Sequence, residues 1–327
     1  MDIVIAVSTT FYPGWHRLDT DLVFSSIDGV LFYLHTDFIH QSSPTALDAF
    51  LQSSTGRLGE IVVIPEPATV LTILLYALYR TSISPSSPST DDLIVAIDKM
   101  PSYSMVVQAL VTPNSPLHDL LLLQAPLRPL DIYALAAHHR LSELAVRSSL
   151  HLLGFPLETI SDAMAVRIGP TYLRRLFVLQ MMRTQTLGAL LRQPLRFHPP
   201  TKSCDIEWRK KLGRAWELAS AHLLWTARPG ASLPQLFVLP LKLRPLLAPT
   251  DISCHHIQDV FEPLANQLAC SECAEMFRKR IRSVLTCWAS VRVRVFLPST
   301  ITRTMFSSYA PDSAQFDPNI GRIMQSG

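Results

Sequence analysis

The sequence predicts an α/β domain in its first third, followed by an all-α region. A strand–turn–strand signal at residues 22–35 and a β-branched run at 60–64 point to a small sheet near the start. Beyond Pro113, apolar residues recur at i, i+3 and i+4 in the long segments, the period of a helix with one buried face. The chain has 327 residues, of which 48% are hydrophobic and 17% charged, enough for two or three units with their own cores.

Residues 1–17 form a mixed N-terminal segment carrying Pro13–Gly14. Leu22–Ile27 and Val30–His35 then flank Asp28–Gly29. Asp-Gly favours a two-residue type I′ turn, because both central positions need positive φ. Leu22, Phe24 and Ser26 alternate with Val23, Ser25 and Ile27, as a half-buried strand requires. Pro44–Phe50 reads as a short helix, Glu60–Ile64 as a strand and Pro67–Tyr79 as an apolar helix. Ser82–Thr90, rich in serine and proline, reads as a loop. Asp91 or Asp92 is placed to cap a helix over Leu93–Met100. A further helix is expected over Tyr103–Leu110. These elements make up a domain over residues 18–112.

A helical region follows over residues 113–192. Ile132, Leu135 and Ala136 share one stripe, and Leu141, Leu144 and Ala145 another. Ser142 is placed as an N-cap and Gly154 as a C-cap. Tyr172–Leu191 reads as a longer helix with Leu173, Leu176, Phe177 and Gln180 on one face, and Pro194–Pro200 breaks it. Residues 193–297 form a C-terminal helical region. Trp208–Ala227 carries Leu212, Ala215, Trp216, Ala219 and Leu223 on one face. After the proline-punctuated stretch 228–249, a last helix over Cys273–Val291 aligns Phe277, Ile281, Val284, Leu285 and Trp288. Residues 298–327 read as a loose tail. No internal repeat points to a solenoid.

Composition narrows the function classes. The net charge of +3 gives no broad nucleic-acid footprint. No stretch reaches the roughly 18 apolar residues of a membrane span. MDIVIAVSTT lacks the basic, long-apolar pattern of a signal peptide. The five cysteines all lie beyond residue 200, and none of the three asparagines opens an N-x-Ser/Thr sequon. An intracellular protein, cytoplasmic or nuclear, is expected. Phosphate-binding glycine loops, H-E-x-x-H and G-x-S-x-G are absent from the sequence.

The run from Leu18 to His35 resembles the opening of a BTB/POZ domain. Asp21 and Leu22 stand in its first strand, Gly29 and Phe32 form its Gly-x-x-Phe, and His35 closes its second strand. Ser43, Leu47 and Phe50 are similar to the next helix, although Pro44 interrupts the family's unbroken Leu-x-x-x-Ser-x-x-Phe. Ile61–Pro65 and Thr69–Tyr79 resemble the third strand and its following helix. Asp131–Leu153, with Tyr133-Ala-Leu-Ala-Ala, is similar to the helical segment of an expanded fungal, basidiomycete-type branch. That similarity runs on through Arg214-Ala-Trp-Glu-Leu-Ala and Cys270–Cys273, across nearly all of residues 18–297. The resemblance implies a small sheet with clustered helices. It also implies homodimerisation or docking of a protein partner rather than catalysis. Some family members are adaptors for cullin-type ubiquitin ligases.

Cys270-Ser-Glu-Cys273 is the sharpest chemical motif. A C-x-x-C pair sets two thiolates about 3.5–4 Å apart on one metal ion. Structural zinc takes four ligands, and His198 with Cys204 is the best second pair. Such a clip would staple the start of the C-terminal region to its last helix. Cys254, His255 and His256 compete for the same places, and two ordinary buried thiols at a helix start are the bland alternative. A redox C-x-x-C would need a βαβ pattern upstream, and a C2H2 finger would need histidines after His256. Neither occurs in the sequence. Arg278-Lys-Arg-Ile-Arg282 reads as a solvated helix face, with a DNA-associated regulator as the alternative. His138–His139 at a helix end would be catalytic only beside a positioned nucleophile or acid. The reading is therefore a self-associating protein-interaction module with a candidate zinc clip, and an unfamiliar enzyme is the remaining alternative.

Overall fold

The computed structural model describes residues 6–16, 20–47, 50, 61–81, 88–199, 201, 204, 206–227 and 252–294. It is mostly helical, with one small mixed sheet. Two compact units divide the chain. One comprises residues up to Gln180 with Trp225–Ile252, and the other comprises Met181–Leu224 and the residues from Ser253.

In the first unit, strands β1 (Ala6–Val7), β2 (Leu22–Ser25), β3 (Val30–Leu34) and β4 (Ile61–Val63) are ordered β1-β3-β2-β4. β2 and β3 run antiparallel with Phe24 opposite Phe32, whereas β1 on β3 and β4 on β2 are parallel. Leu22, Phe24, Ser26, Phe32 and Leu34 are buried on one face, so the alternation in the sequence sets which side meets the core.

The hairpin turn differs from type I′. Ser26 N–H donates to the Val30 carbonyl at 3.0 Å, leaving a three-residue loop in which Gly29 N–H donates back to the Ser26 carbonyl. Gly29 has φ +79°, and Asp28 does not share the positive φ. A type I turn closed by a left-handed glycine satisfies these bonds. It also frees the Asp28 carboxylate to accept from Ala68 N–H at 2.9 Å, capping the following helix.

Helix α1 (Thr36–Ser42) precedes the position expected for the first helix, Pro44–Phe50. Ser43 is extended, as a residue before proline prefers, so the helix stops there. Leu47 then turns with φ +63°. Helix α2 (Ala68–Tyr79) buries eight residues from Val70 to Leu78 and is apolar nearly all round, the mark of a core helix. Helix α3 (Thr90–Lys99) is capped by Ser89, whose Oγ accepts from Asp92 N–H and donates to the Asp92 carboxylate. Neither Asp91 nor Asp92 is the cap, because Ser89, three residues ahead of Asp92, takes that place with its hydroxyl. The helix expected over Tyr103–Leu110 is split into a 3₁₀ turn at Met100–Tyr103 and a short α4 (Val107–Leu110). Ser104 separates them at φ +57°.

Helices α5 (Pro116–Gln124), α6 (Pro129–His138) and α7 (Ser142–Ser149) pack onto the same core. Ile132–Ala137 are all buried, as are Leu141, Leu144 and Ala145. Two cap assignments change. Arg140 turns at φ +57° and Leu141 is the N-cap, so Ser142 already lies inside the helix. α7 runs on into a 3₁₀ turn, Leu150–Leu152, rather than closing on a left-handed Gly154. Across residue 113, Gln108 donates to the His139 carbonyl at 2.9 Å and Arg167 donates to Asp98. The sheet domain and the helices after it therefore share bonds as well as packing.

Helix α8 (Asp162–Arg192) begins ten residues earlier than its apolar stripe suggests and kinks at Gly169–Pro170, where Gly169 has φ 74° and ψ 160°. Leu176 and Gln180 are buried, but Phe177 is half exposed and leaves the predicted face.

The second unit is built from the end of α8 with α9 (Ile206–Thr226), α10 (Cys254–Asn266) and α11 (Ser271–Arg294). Trp216 stacks on Phe261 at 4.2 Å between centroids and meets Phe277 edge-on at 5.4 Å. Its Nε1 donates to the Leu191 carbonyl. Ile257, Phe261 and Ala265 of α10 and Phe277, Ile281, Val284 and Trp288 of α11 complete the core. Helix α10 was not expected from the sequence. Pro263 stands inside it, and its start reads as a Cys-His-His cluster. The 228–249 stretch, most of the Ser82–Thr90 loop and the 298–327 tail lie outside the described residues.

Candidate metal centre

The four predicted ligands meet in the second unit. His198 follows the proline-broken end of α8. Cys204 lies a few residues on, where Thr201 and Cys204 exchange N–H···O bonds of 3.3 and 3.2 Å. Arg209 of α9 donates to the Cys204 carbonyl and ties this turn to the helix. Cys270 immediately precedes α11, and Cys273 lies in its first turn, so the C-x-x-C motif straddles a helix N-terminus. Backbone N–H groups and the helix dipole favour thiolates there.

His198 Nε2 lies 3.2 Å from both Cys270 Sγ and Cys273 Sγ, and Cys204 Sγ lies 3.5 Å from Cys273 Sγ. All four ligand atoms fall within 4.8 Å of one another. Tetrahedral zinc, with bonds of about 2.3 Å to sulfur and 2.0–2.1 Å to nitrogen, sets ligand atoms about 3.5–3.8 Å apart. The cluster is therefore close to the size that such an ion demands and can hold a metal.

Two further features suit it. His198 Nδ1 lies 2.7 Å from the Pro199 carbonyl, which only accepts, so this nitrogen carries the proton. In the neutral ring the Nε2 lone pair then points at the sulfurs, the outer bond typical of a ligating histidine. The thiols also differ in character. The backbone N–H of Cys273, with help from His198, lowers Cys270 to about 7, while burial pushes Cys273 up to about 12. A metal ion would supply the positive charge that Cys273 needs to ionise in its buried place.

The rival ligands stay apart. Cys254 lies against the Leu285 carbonyl, His255 is exposed beside Asp259, and His256 belongs to the capped start of α10.

The residues that resemble the BTB/POZ pattern have scaffold tasks. Asp21 Oδ1 accepts from Thr36 N–H at 2.9 Å, tying β2 to the start of α1. Gly29 makes the turn and Phe32 is core. His35 is buried, and its N–H donates to Tyr79 Oη at 2.8 Å. Burial pushes the Tyr79 hydroxyl up to about 12, so it remains a neutral partner. Phe50 packs on the Tyr103 ring at 5.6 Å.

A second cluster in the first unit was missed. Asp98 Oδ1 lies 2.8 Å from His139 Nε2, and its Oδ2 accepts from Arg167 at 2.7 Å, with His138 alongside. An acid therefore does stand beside the histidine pair. The guanidinium on the same carboxylate occupies the place where a cation would sit, so the group reads as a structural ion pair. The adjoining cleft of about 460 Å³ is lined by His138, Ser161, Ala163, Met164, Val166 and Arg167 and brings no further acid or base. Burial alone would raise the Asp98 carboxyl. Hydrogen bonds from His139 and Arg167 outweigh burial and leave it below its ordinary value. Protonation therefore favours the unfolded chain. The stabilisation is present above about pH 4 and fades as pH falls through the folded value. Asp98→Asn is expected to cost about 1–2 kcal/mol at pH 7. Urea midpoints should show the gap to the wild type narrowing at pH 3, and a constant gap would refute the assignment.

No protein-family model, curated protein or solved structure matches the chain. No described helix is long and apolar enough to cross a membrane.

Proposed function

We propose that this chain is a non-catalytic protein-interaction protein. In this reading a BTB/POZ-like N-terminal domain associates with a second copy, and a structural zinc ion closes the C-terminal helical unit. The interaction reading is carried by the outer edge of the sheet. Among the described residues β4 pairs with β2 on one side and ends the strand order, with Ile61 50% and Val63 63% exposed. An apolar edge with no further strand beside it among the described residues invites another strand. The scaffold tasks of Asp21, Gly29, Phe32 and His35 support the family likeness, since none of them converges on a pocket. A cullin-type ligase scaffold is the further partner that this likeness suggests.

The zinc reading rests on the donor set. Three thiols and one imidazole are soft ligands that suit zinc over magnesium or calcium. Four protein ligands leave no open position, which marks a structural rather than a catalytic site.

Light scattering coupled to size exclusion, over a range of concentrations, tests the association. The wild type should be a dimer, and Ile61→Lys with Val63→Lys should return it to a monomer while circular dichroism stays unchanged. A wild type that is monomeric at every concentration would overturn self-association.

A further inference from the structure

The modest net charge conceals an uneven division. Among the described residues the first unit carries 8 Lys and Arg against 12 Asp and Glu, and the second carries 13 against 6. Ten of those 13 cations are arginines. Lys210 and Arg282 are paired with Glu207 and Glu275. Arg192 and Arg196, at and after the end of α8, Lys211 and Arg214 on α9, and Lys279 on α11 are exposed, and none has a carboxylate partner among the described residues.

Two of the arginines also feel each other's charge. Arg280 of α11 donates to the Leu190 carbonyl at the end of α8. Burial lowers its guanidinium, Cys287 acts against this, and the charge of Arg196 adds to the lowering. Like charges gathered in this way repel, so the array costs the folded unit stability in the absence of an anion. Packing gives no reason for the exposed cations, because Arg192, Arg196, Lys211, Arg214 and Lys279 lie outside the buried faces of the helices.

We infer that the second unit binds the phosphate backbone of double-stranded nucleic acid. Arg192, Arg196, Lys211, Arg214 and Lys279 are the contact residues. The cations are spread over three helices and a connecting segment, which asks for an extended anion of high charge density. A duplex offers one charge per about 1.7 Å of axis, and the arginine fork fits phosphate oxygens in pairs. The contacts carry no sequence reading, since they address phosphate rather than base edges. The inference does not rest on the sheet edge, and it needs only that the second unit is folded.

Fluorescence anisotropy of the full chain against a 20-base-pair duplex DNA tests it. Five phosphate contacts predict a slope of log affinity against log salt of about −4.5. Arg196→Gln, Lys211→Gln and Arg214→Gln together should weaken binding at least tenfold. They should also reduce the slope by about 3, with the circular dichroism spectrum unchanged. Absence of binding at about 50 mM salt overturns the proposal, as does a slope that the triple variant leaves unchanged. Tighter binding of a poly-glutamate peptide than of the duplex also overturns it and assigns the surface to an acidic protein.

Discussion

Cys273→Ser is expected to abolish stoichiometric zinc binding and to unfold the second unit. Cys273 is 1% exposed and stands between His198 at 3.2 Å and Cys204 at 3.5 Å, so it is the centre of the cluster. Losing it removes one of three thiolates and leaves a buried hydroxyl among sulfurs. Structural zinc contributes about 10–16 kcal/mol in small zinc-dependent folds, as much as the whole stability of a typical domain. The wild type should carry one zinc ion per chain by elemental analysis, and a strong chelator should reproduce the loss of helix seen in Cys273→Ser. Because all four ligands belong to the second unit, a separate unfolding transition of the first unit should survive chelation. Cys254→Ser is the control, since Cys254 lies away from the cluster against the Leu285 carbonyl, and it should keep its zinc. Metal content near zero in freshly purified wild type, or full zinc content in Cys273→Ser, would remove zinc from the account.

The cluster that can hold a metal was legible because chemistry restricts it. Few residue types bind zinc, the chain has five cysteines, and two of them stand at the C-x-x-C spacing. The identity of the second pair was less determined. Nothing in 65 intervening residues distinguishes His198 and Cys204 from Cys254 and His255. The choice is settled by α10, a helix that carries Cys254 off to pack against α11. That helix escaped notice because Pro263 interrupts a pattern of only three buried residues, Ile257, Phe261 and Ala265.

In the sheet domain β2 and β3 were legible from the alternation that a half-buried face imposes and β4 from its β-branched run, whereas β1, two exposed residues, was not. The turns and caps were not, because they depend on distant partners. The Asp28 carboxylate is used by Ala68, 40 residues away. Asp98 likewise meets His139 and Arg167 only after three helices have packed. Charge distribution was readable in principle, but a single net value hid it, since the two units carry opposite signs.

The second large effect tests the aromatic core that holds the ligand-bearing helices. Trp216→Ala is expected to destabilise the second unit by about 3–5 kcal/mol. Trp216 is 3% exposed, stacks on Phe261 with an interplanar angle of 22° and meets Phe277 at 89°. Each aromatic pair contributes about 0.5–1.5 kcal/mol beyond burial, and truncation also leaves the Leu191 carbonyl without its indole donor. Trp216→Phe, which keeps a ring and loses only the donor and some area, should cost about 1–2 kcal/mol.

Zinc separates this packing loss from a loss of ligation. An ion present at about 1,000 times its dissociation constant stabilises the folded unit by about 4 kcal/mol, close to the Trp216→Ala deficit. The variant should therefore stay folded with zinc in excess and unfold when the metal is chelated, with its ligands unchanged. Guanidinium melts in excess zinc make the measurement. If Trp216→Ala costs less than about 1 kcal/mol there, the stacked rings do not hold the unit together. If it loses zinc even with the ion in excess, the aromatic core and the metal site form one cooperative structure, in which α9 and α11 cannot be positioned by the thiolates alone.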